Sequence, residues 1–140
     1  MRNISEVEAA YIAGFFDGEG CIHAVGNGRR RIVITFAQRH AGILSYIHRT
    51  LGIGKLITHK SKRWGVSYRY RIDTMGEAEE FIRAILPYSI LKRRQLELGL
   101  EYIGTGSWKG RQVPESVQSE RRRIAREMKE LKKIDPLGMS

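Results

Sequence analysis

The chain has 140 residues, enough for one core without disulfide or metal staples, and its 41% hydrophobic and 29% charged residues are ordinary for a soluble globular domain. A net charge of +10 is not ordinary, and it directs the protein toward polyanions. No apolar run approaches the roughly 18 residues of a membrane span, the acidic start MRNISEVEAA argues against a signal peptide, and the single Cys21 excludes an internal disulfide. The expectation is an intracellular protein (cytoplasmic, nucleoid-associated or organellar), not secreted, with no membrane partner.

Ser5 followed by Glu8 is a capping box, so a helix is expected from about Glu6. It carries Val7, Tyr11, Ile12, Phe15 and Phe16 on its apolar sides and stops at Gly18 and Gly20. Ala10, Gly14 and Gly18 recur every fourth position, which on a helix makes one bare stripe. Such a stripe lets another backbone approach closely, at a cost in helix stability for each glycine. Glu19 then stands between two glycines. A glycine C-cap explains Gly18 or Gly20 but not the stripe.

Cys21 to Val25 reads as a strand, Gly26-Asn27-Gly28 as a turn, and Arg29 to Gln38 as a second strand with Ile32, Ile34 and Phe36 on its apolar face. His40 to Leu51 has Ile43, Leu44, Ile47 and Leu51 at helical spacing and ends at Gly52. Gly54 to Lys60 is a third strand, followed by a basic turn, Ser61-Lys62-Arg63. The fourth strand alternates most clearly: Trp64, Val66, Tyr68, Tyr70 and Ile72 share one face, and Arg63, Ser67, Arg69 and Arg71 the other. The aromatic set Trp64, Tyr68 and Tyr70 is expected in the core.

After Gly76 a helix forms around Ala78, Phe81, Ile82 and Ile85 until Pro87 interrupts it. A further helix over 89–103 is expected to bury Leu91, Leu98 and Tyr102 and to expose Lys92, Arg93, Arg94 and Glu97. Gly104 to Gly110, with Pro114, reads as a flexible linker, and 116–134 as a charged helix with a stripe at Val117, Ile124, Met128 and Leu131. The expected architecture is α+β, in the order αββαββα, with an antiparallel sheet. Residues 1–103 form one domain, and 104–140 a linker and C-terminal helical tail that supports a dimer or clamps nucleic acid.

The charge is placed unevenly. From Gly20 to Ile72 there is no aspartate or glutamate, while eleven lysines and arginines and all four histidines fall there. A solvated surface normally mixes both signs, so one sheet face should meet a phosphate-rich partner. Its expected contacts are His23, Asn27, Arg29, Arg31, Thr35, Arg39, Lys55, His59, Arg63, Ser67, Arg69 and Arg71. Arginines would serve guanine edges or phosphates, and Ser67 and Thr35 either. His23 is open between base contact and packing, and Cys21 is read as structural. The sequence has no zinc spacing, P-loop or nucleophile elbow. Magnesium asks for only one or two carboxylates plus substrate phosphates and water, and Glu19 is the acid placed beside the basic stretch.

Ile12 to Gly20, IAGFFDGEG, resembles the LAGLIDADG motif of the homing endonucleases. Ala13, Gly14, Asp17 and Gly20 match it, and Ile12 and Glu19 are conservative equivalents. The element order, the acid-free sheet and the segment Leu86-Pro87-Tyr88 to Leu91-Lys92-Arg93-Arg94-Gln95 are also similar to that family, over about residues 5–103. The resemblance implies a site-specific double-strand DNA endonuclease acting as a homodimer on a long, near-palindromic target, with a staggered cut leaving 3′ overhangs. It implies Mg2+, with Mn2+ or Ca2+ able to replace it in binding, held by Glu19 and the Gly18 carbonyl. It makes Glu19, Gln38 and Lys92 catalytic, Gln38 ordering water and Lys92 stabilising charge. It also makes Ala10, Gly14, Asp17 and Gly18 the dimer interface. The alternative on the same scaffold is an RNA maturase binding intron RNA, or a DNA-binding regulator, neither cleaving.

Overall fold

The computed structural model describes residues 1–26 and 31–133. Its elements run α1 (Glu6–Glu19), β1 (Gly20–Val25), β2 (Arg31–Gln38), α2 (Ala41–Leu51), β3 (Lys55–Ser61), β4 (Gly65–Ile72), α3 (Met75–Ile85), a 3-10 turn at Leu86–Tyr88, α4 (Arg93–Gly104) and α5 (Glu115–Leu131). The expected turn residues Asn27 and Gly28, and Arg29, lie outside the described residues.

The first helix is built as its sequence demands. Ser5 Oγ accepts from the Glu8 backbone N–H and Glu8 Oε1 from the Ser5 N–H, so two otherwise orphaned donors are satisfied, and Glu6 and Glu8 sit at the positive end of the helix dipole. At its far end no room exists for a side chain at Gly20: a Cβ there would lie 2.2 Å from the Phe16 ring. The helix therefore passes into β1 with nothing between them. Helix α2 ends in the left-handed conformation, Gly52 having φ 72, as its glycine requires.

The four strands make one antiparallel sheet in the order β1-β2-β4-β3. Its core face presents Ile22, Ile32, Ile34, Phe36, Tyr70 and Ile72, all fully buried under the helices. Phe16 of α1, Phe36 of β2 and Phe81 of α3 meet edge to face at 5.6 to 6.0 Å, and Phe15 stacks on Phe36. This triangle ties the first helix to the sheet centre.

Several sequence expectations need correction. Trp64 and Val66 share the apolar side of β4 with Tyr70 but are 63% and 45% exposed. The β3–β4 hairpin extends past the helices, so burial along β4 grows only toward Tyr70 and Ile72. Val7 and Tyr11 are also exposed. At about 100° per residue they fall beside Ala10, Gly14 and Gly18, which leaves α1 apolar on two sides with only one of them covered. Leu91 is exposed, because the helix expected from residue 89 begins at Arg93. The segment read as a flexible linker is hydrogen-bonded, Trp108 Nε1 donating to the Thr105 carbonyl and Arg121 to Thr105 Oγ1 and the Gly106 carbonyl. Beyond it, Ile124 and Met128 of α5 join the same core cluster as Ile12, Ile34 and Tyr102.

Candidate functional site

Glu19 is the last residue of α1, and its carboxylate is exposed, with no hydrogen bond or ion pair among the described residues. It sits where the last carbonyls of a helix lack partners. Lys92 closes over this end. Its ammonium donates to the Phe16 carbonyl at 3.3 Å and, more closely, to the Gly20 carbonyl, so it brackets Glu19 on both sides along the chain. Burial lowers the Lys92 pKa, and Lys132 adds to this, against the opposing charges of Cys21, Asp17 and Glu19. A desolvated cation therefore lies beside an unpaired, water-facing carboxylate.

What holds Lys92 there is Asp17. Its Oδ1 accepts from Ser89 Oγ at 2.5 Å and from the Lys92 N–H at 3.1 Å, and its Oδ2 from the Ile90 and Leu91 N–H groups at 2.8 and 3.0 Å. Burial pushes this carboxyl up, but the Ser89 hydroxyl and the three amides outweigh it and hold the pKa below its ordinary value. Asp17, grouped with the bare stripe on sequence, is in this structure the cap that builds the entry to α4. Sequence offered no signal for this, since its partners lie more than seventy residues away.

Gln38 ends β2. Gly20 pairs with Phe36, so Gln38 runs past the start of β1, alongside the C-terminal end of α1. Its Oε1 accepts from the Arg39 N–H at 3.1 Å and the His40 N–H at 3.5 Å, which leaves its amide N–H groups for other partners. Cys21 follows one residue after Gly20. Its thiol contacts His23 Nδ1 at 3.9 Å and Lys132 Nζ at 3.3 Å. The His23 contact, then Lys132, brings it down to about 7 against the effect of burial. Lys132 comes from the far end of α5, and the sequence reading missed it.

The open face of the sheet carries the expected cations in register. Cys21, Thr35, Arg71 and Lys55 form one row across all four strands, Ala37, Arg69 and Ile57 the next, and Ser67 pairs with His59. His23, Val33, Thr35, Ala37, Arg69 and Arg71 line a concavity of about 340 Å³ on this face. Arg63 lies in the β3–β4 turn with its guanidinium 4.9 Å from the Trp64 ring centre, and Arg39 is exposed just past β2. Asp73, the first acid after this stretch, binds Lys55 at 2.9 Å and Arg71 at 3.5 Å. Asn27 and Arg29 fall outside the described residues. On α1, Ala10, Gly14 and Gly18 are exposed, and a Cβ added at either glycine would meet nothing within 4 Å.

No group of three His, Cys, Asp or Glu suited to a metal occurs among the described residues. The donors that Glu19 and the Gly18 carbonyl offer are hard oxygens, which fits a divalent cation completed by phosphate and water rather than a soft or fully caged metal.

The family model for LAGLIDADG endonuclease matches residues 12–103. No curated protein matches the chain. Among solved structures, the archaeal intron-encoded homing endonuclease I-Vdi141I, complexed with DNA, is 22% identical with a TM-score of 0.75, over 90% of this chain and 84% of that one. The homing endonuclease I-CvuI, in complex with a DNA target in the presence of Mg, is 26% identical with a TM-score of 0.74, over 94% and 85%. The meganuclease I-CpaMI, bound to uncleaved DNA, is 19% identical with a TM-score of 0.61, and the match spans 95% of this chain but 51% of that one. The chain belongs to the LAGLIDADG endonuclease family, and its α+β architecture is the homing endonuclease fold.

Proposed function

We propose that the protein is a homodimeric, divalent-metal-dependent DNA endonuclease that cuts both strands of a long, near-palindromic duplex and leaves 3′ overhangs. The observation that carries this is the unpaired Glu19 carboxylate beside the desolvated Lys92 ammonium, at one end of a sheet whose open face is cationic. The family match supports the chemistry, and the DNA in the structures of I-Vdi141I and I-CvuI supports the substrate.

Two copies are needed for two reasons. One chain brings one acid to the site, and the match spans about half the length of I-CpaMI but most of I-Vdi141I. Packing two α1 helices along the exposed Ala10, Gly14 and Gly18 stripe would set both Glu19 residues over one duplex, and a two-fold protein asks for a near-palindromic site. When bound, Mg2+ supplies Lewis acidity toward the phosphate and the leaving oxygen, and Mn2+ or Ca2+ can occupy the same donors. Glu19 and the Gly18 carbonyl hold the cation. The free amide of Gln38 orients water near the scissile phosphate, and Lys92 offsets the charge that develops there. Among the described residues no helix is long and apolar enough to cross a membrane.

The test is Glu19→Gln, assayed on a plasmid library of randomised targets with Mg2+. Losing a partner of a metal ligand alone costs 10–100-fold, so losing the ligand should lower cleavage at least ~100-fold while duplex affinity stays within about twofold. Cleavage at the wild-type rate by the variant would sink the assignment. Duplex binding without cleavage by the wild-type protein would favour the DNA-binding regulator, and tighter binding to structured intron RNA than to duplex would favour the maturase.

A further inference from the structure

The end of β2 opposite Gln38 opens onto a second cationic site. There Arg31, Lys109, Arg111 and Arg121 line a cavity of about 760 Å³ together with Trp108 and Thr74. Arg121 is the unusual member. It is only 2% exposed, its Nε donates to Thr105 Oγ1 at 2.7 Å and its Nη2 to the Gly106 carbonyl at 2.7 Å, and its guanidinium lies 4.9 Å from the Tyr102 ring centre. All of these partners are neutral. Among the described residues no carboxylate lies within 4.0 Å of Arg121, although burying an unpaired charge is costly.

The neighbours do not offset it. Arg31 Nε is buried with no hydrogen-bond partner. Arg111 stacks on Trp108 at 4.9 Å and donates to the Ser107 carbonyl, and neither it nor Lys109 forms an ion pair among the described residues. The nearest acid on the wall, Asp73, is already bound to Lys55 and Arg71. Four cations around one opening, against the single charge of Asp73, which Arg31 shares with Lys55 and Arg71, leave an excess of positive charge that defines an anion site.

Its position identifies the anion. Arg31 shares the open face of β2 with Val33 and Thr35, so the cavity continues the cationic surface. Arg31 and Gln38 stand at opposite ends of β2, which at ~3.3 Å per residue places the cavity on the order of 23 Å from the catalytic end. That distance corresponds to roughly 7 base pairs of duplex. We infer that Arg31, Arg121, Lys109 and Arg111 form a phosphate clamp that grips the duplex backbone outside the base pairs read by the strands. The clamp rests on the duplex-binding reading of the sheet. It gives the Gly104–Val113 segment a function in the extent of the footprint, with Arg121 orienting the segment while Lys109 and Arg111, both exposed, meet the phosphates.

The probe is a mixed-sequence duplex of about 40 base pairs, titrated at several salt concentrations with the full chain and the double variant Lys109→Ala/Arg111→Ala. Each lost phosphate contact reduces the salt slope by about 0.9, so the variant should lose close to 2 per bound chain, with affinity falling roughly tenfold at physiological salt. On a duplex of about 12 base pairs, which ends short of the clamped phosphates on both sides of the centre, the two proteins should bind alike. A control, Arg49→Ala/Arg83→Ala, removes the same charge from the helical side and should leave the slope unchanged. Equal slopes for wild type and Lys109→Ala/Arg111→Ala, or an equal loss in the control, overturns the clamp while leaving the duplex-binding reading intact. Failure of the wild-type protein to bind duplex at all overturns both.

Discussion

The Ser89 hydroxyl donates to Asp17 Oδ1 at 2.5 Å, across 72 residues of chain, and with three backbone amides it makes Asp17 the cap of the α4 entry. This arrangement explains why an acid is tolerated in the last turn of α1, at the negative end of the helix dipole, and why Lys92 arrives beside Glu19. An asparagine has one acceptor oxygen where the carboxylate uses two and carries no charge. Asp17→Asn should therefore destabilise the protein by about 2 kcal/mol, and Ser89→Ala by about 1 kcal/mol. Thermal melting checks both, and a shift of about 3 °C per kcal/mol is expected for a chain of this size. Equal melting temperatures for Asp17→Asn and wild type would refute the cap.

Gly20 tests the junction between α1 and β1 from the other direction. An alanine methyl there would overlap the Phe16 ring, which is itself fixed between Phe36 and Phe81. Because that ring has no free space to move into, Gly20→Ala should cost about 2 to 3 kcal/mol, in the range of overpacked cores. Denaturant titration measures it. The paired variant Gly20→Ala/Phe16→Leu should recover part of the loss, and a Gly20→Ala protein as stable as wild type would show that the ring is not confined.

How far the sequence could be read depended on the range of the interactions. The Ser5–Glu8 capping box and the Gly52 helix end are local, so spacing alone located them within a residue. The alternation of β4 correctly separated Arg69 and Arg71 from Tyr70 and Ile72. It could not tell that the helices stop short of Trp64 and Val66, because periodicity assigns a face and says nothing about what covers it. Leu91 was misread for a related reason: the pattern continued as a helix, and only Asp17, from another element, diverts the backbone. The gathering of Cys21, His23 and Lys132 depends on α5 folding back onto β1 and has no counterpart in spacing. The roles proposed for Gln38 and Lys92 came from the motif resemblance alone, since chemically each is an ordinary residue at the end of an element, whereas Glu19 already stood out as the acid beside a long basic stretch.

Asp73 limits the cationic face. It holds Lys55 and Arg71, and the hydrogen bond from Lys55, then the charges of Lys55, Arg71 and Arg31, keep its pKa lowered against burial. A carboxylate with a depressed folded pKa contributes stability above its unfolded pKa and loses it as pH falls through the folded value. The pair should therefore add stability near neutral pH that disappears below about pH 4. With Lys55 more than half exposed, Asp73→Asn should cost only about 0.5 kcal/mol at neutral pH. The same change frees two cations for phosphate, so it should tighten non-specific duplex binding by about threefold at low salt and have little effect at high salt. Fluorescence anisotropy across salt concentrations checks this. Weaker binding by the variant would show that Asp73 positions Arg71 for contact instead of withholding it.

The exposed side of α1 yields the last prediction. Val7 at 79% and Tyr11 at 52% exposure flank Ala10, Gly14 and Gly18, so a strip of apolar and backbone surface faces solvent in a single chain. If two such helices pack together, the glycines are the points of closest approach and Val7 and Tyr11 the apolar rim. In one chain alone, Gly14→Ala meets no atom within 4 Å and should gain up to about 1 kcal/mol of helix propensity. A leucine at the same position also has room in the monomer but would hold two helices apart. Gly14→Leu should thus leave the secondary structure unchanged by circular dichroism, shift sedimentation from dimer to monomer, and abolish double-strand cleavage. A Gly14→Leu protein that sediments as a dimer would remove the stripe from the interface, and with it the argument for how two Glu19 carboxylates come to share one duplex.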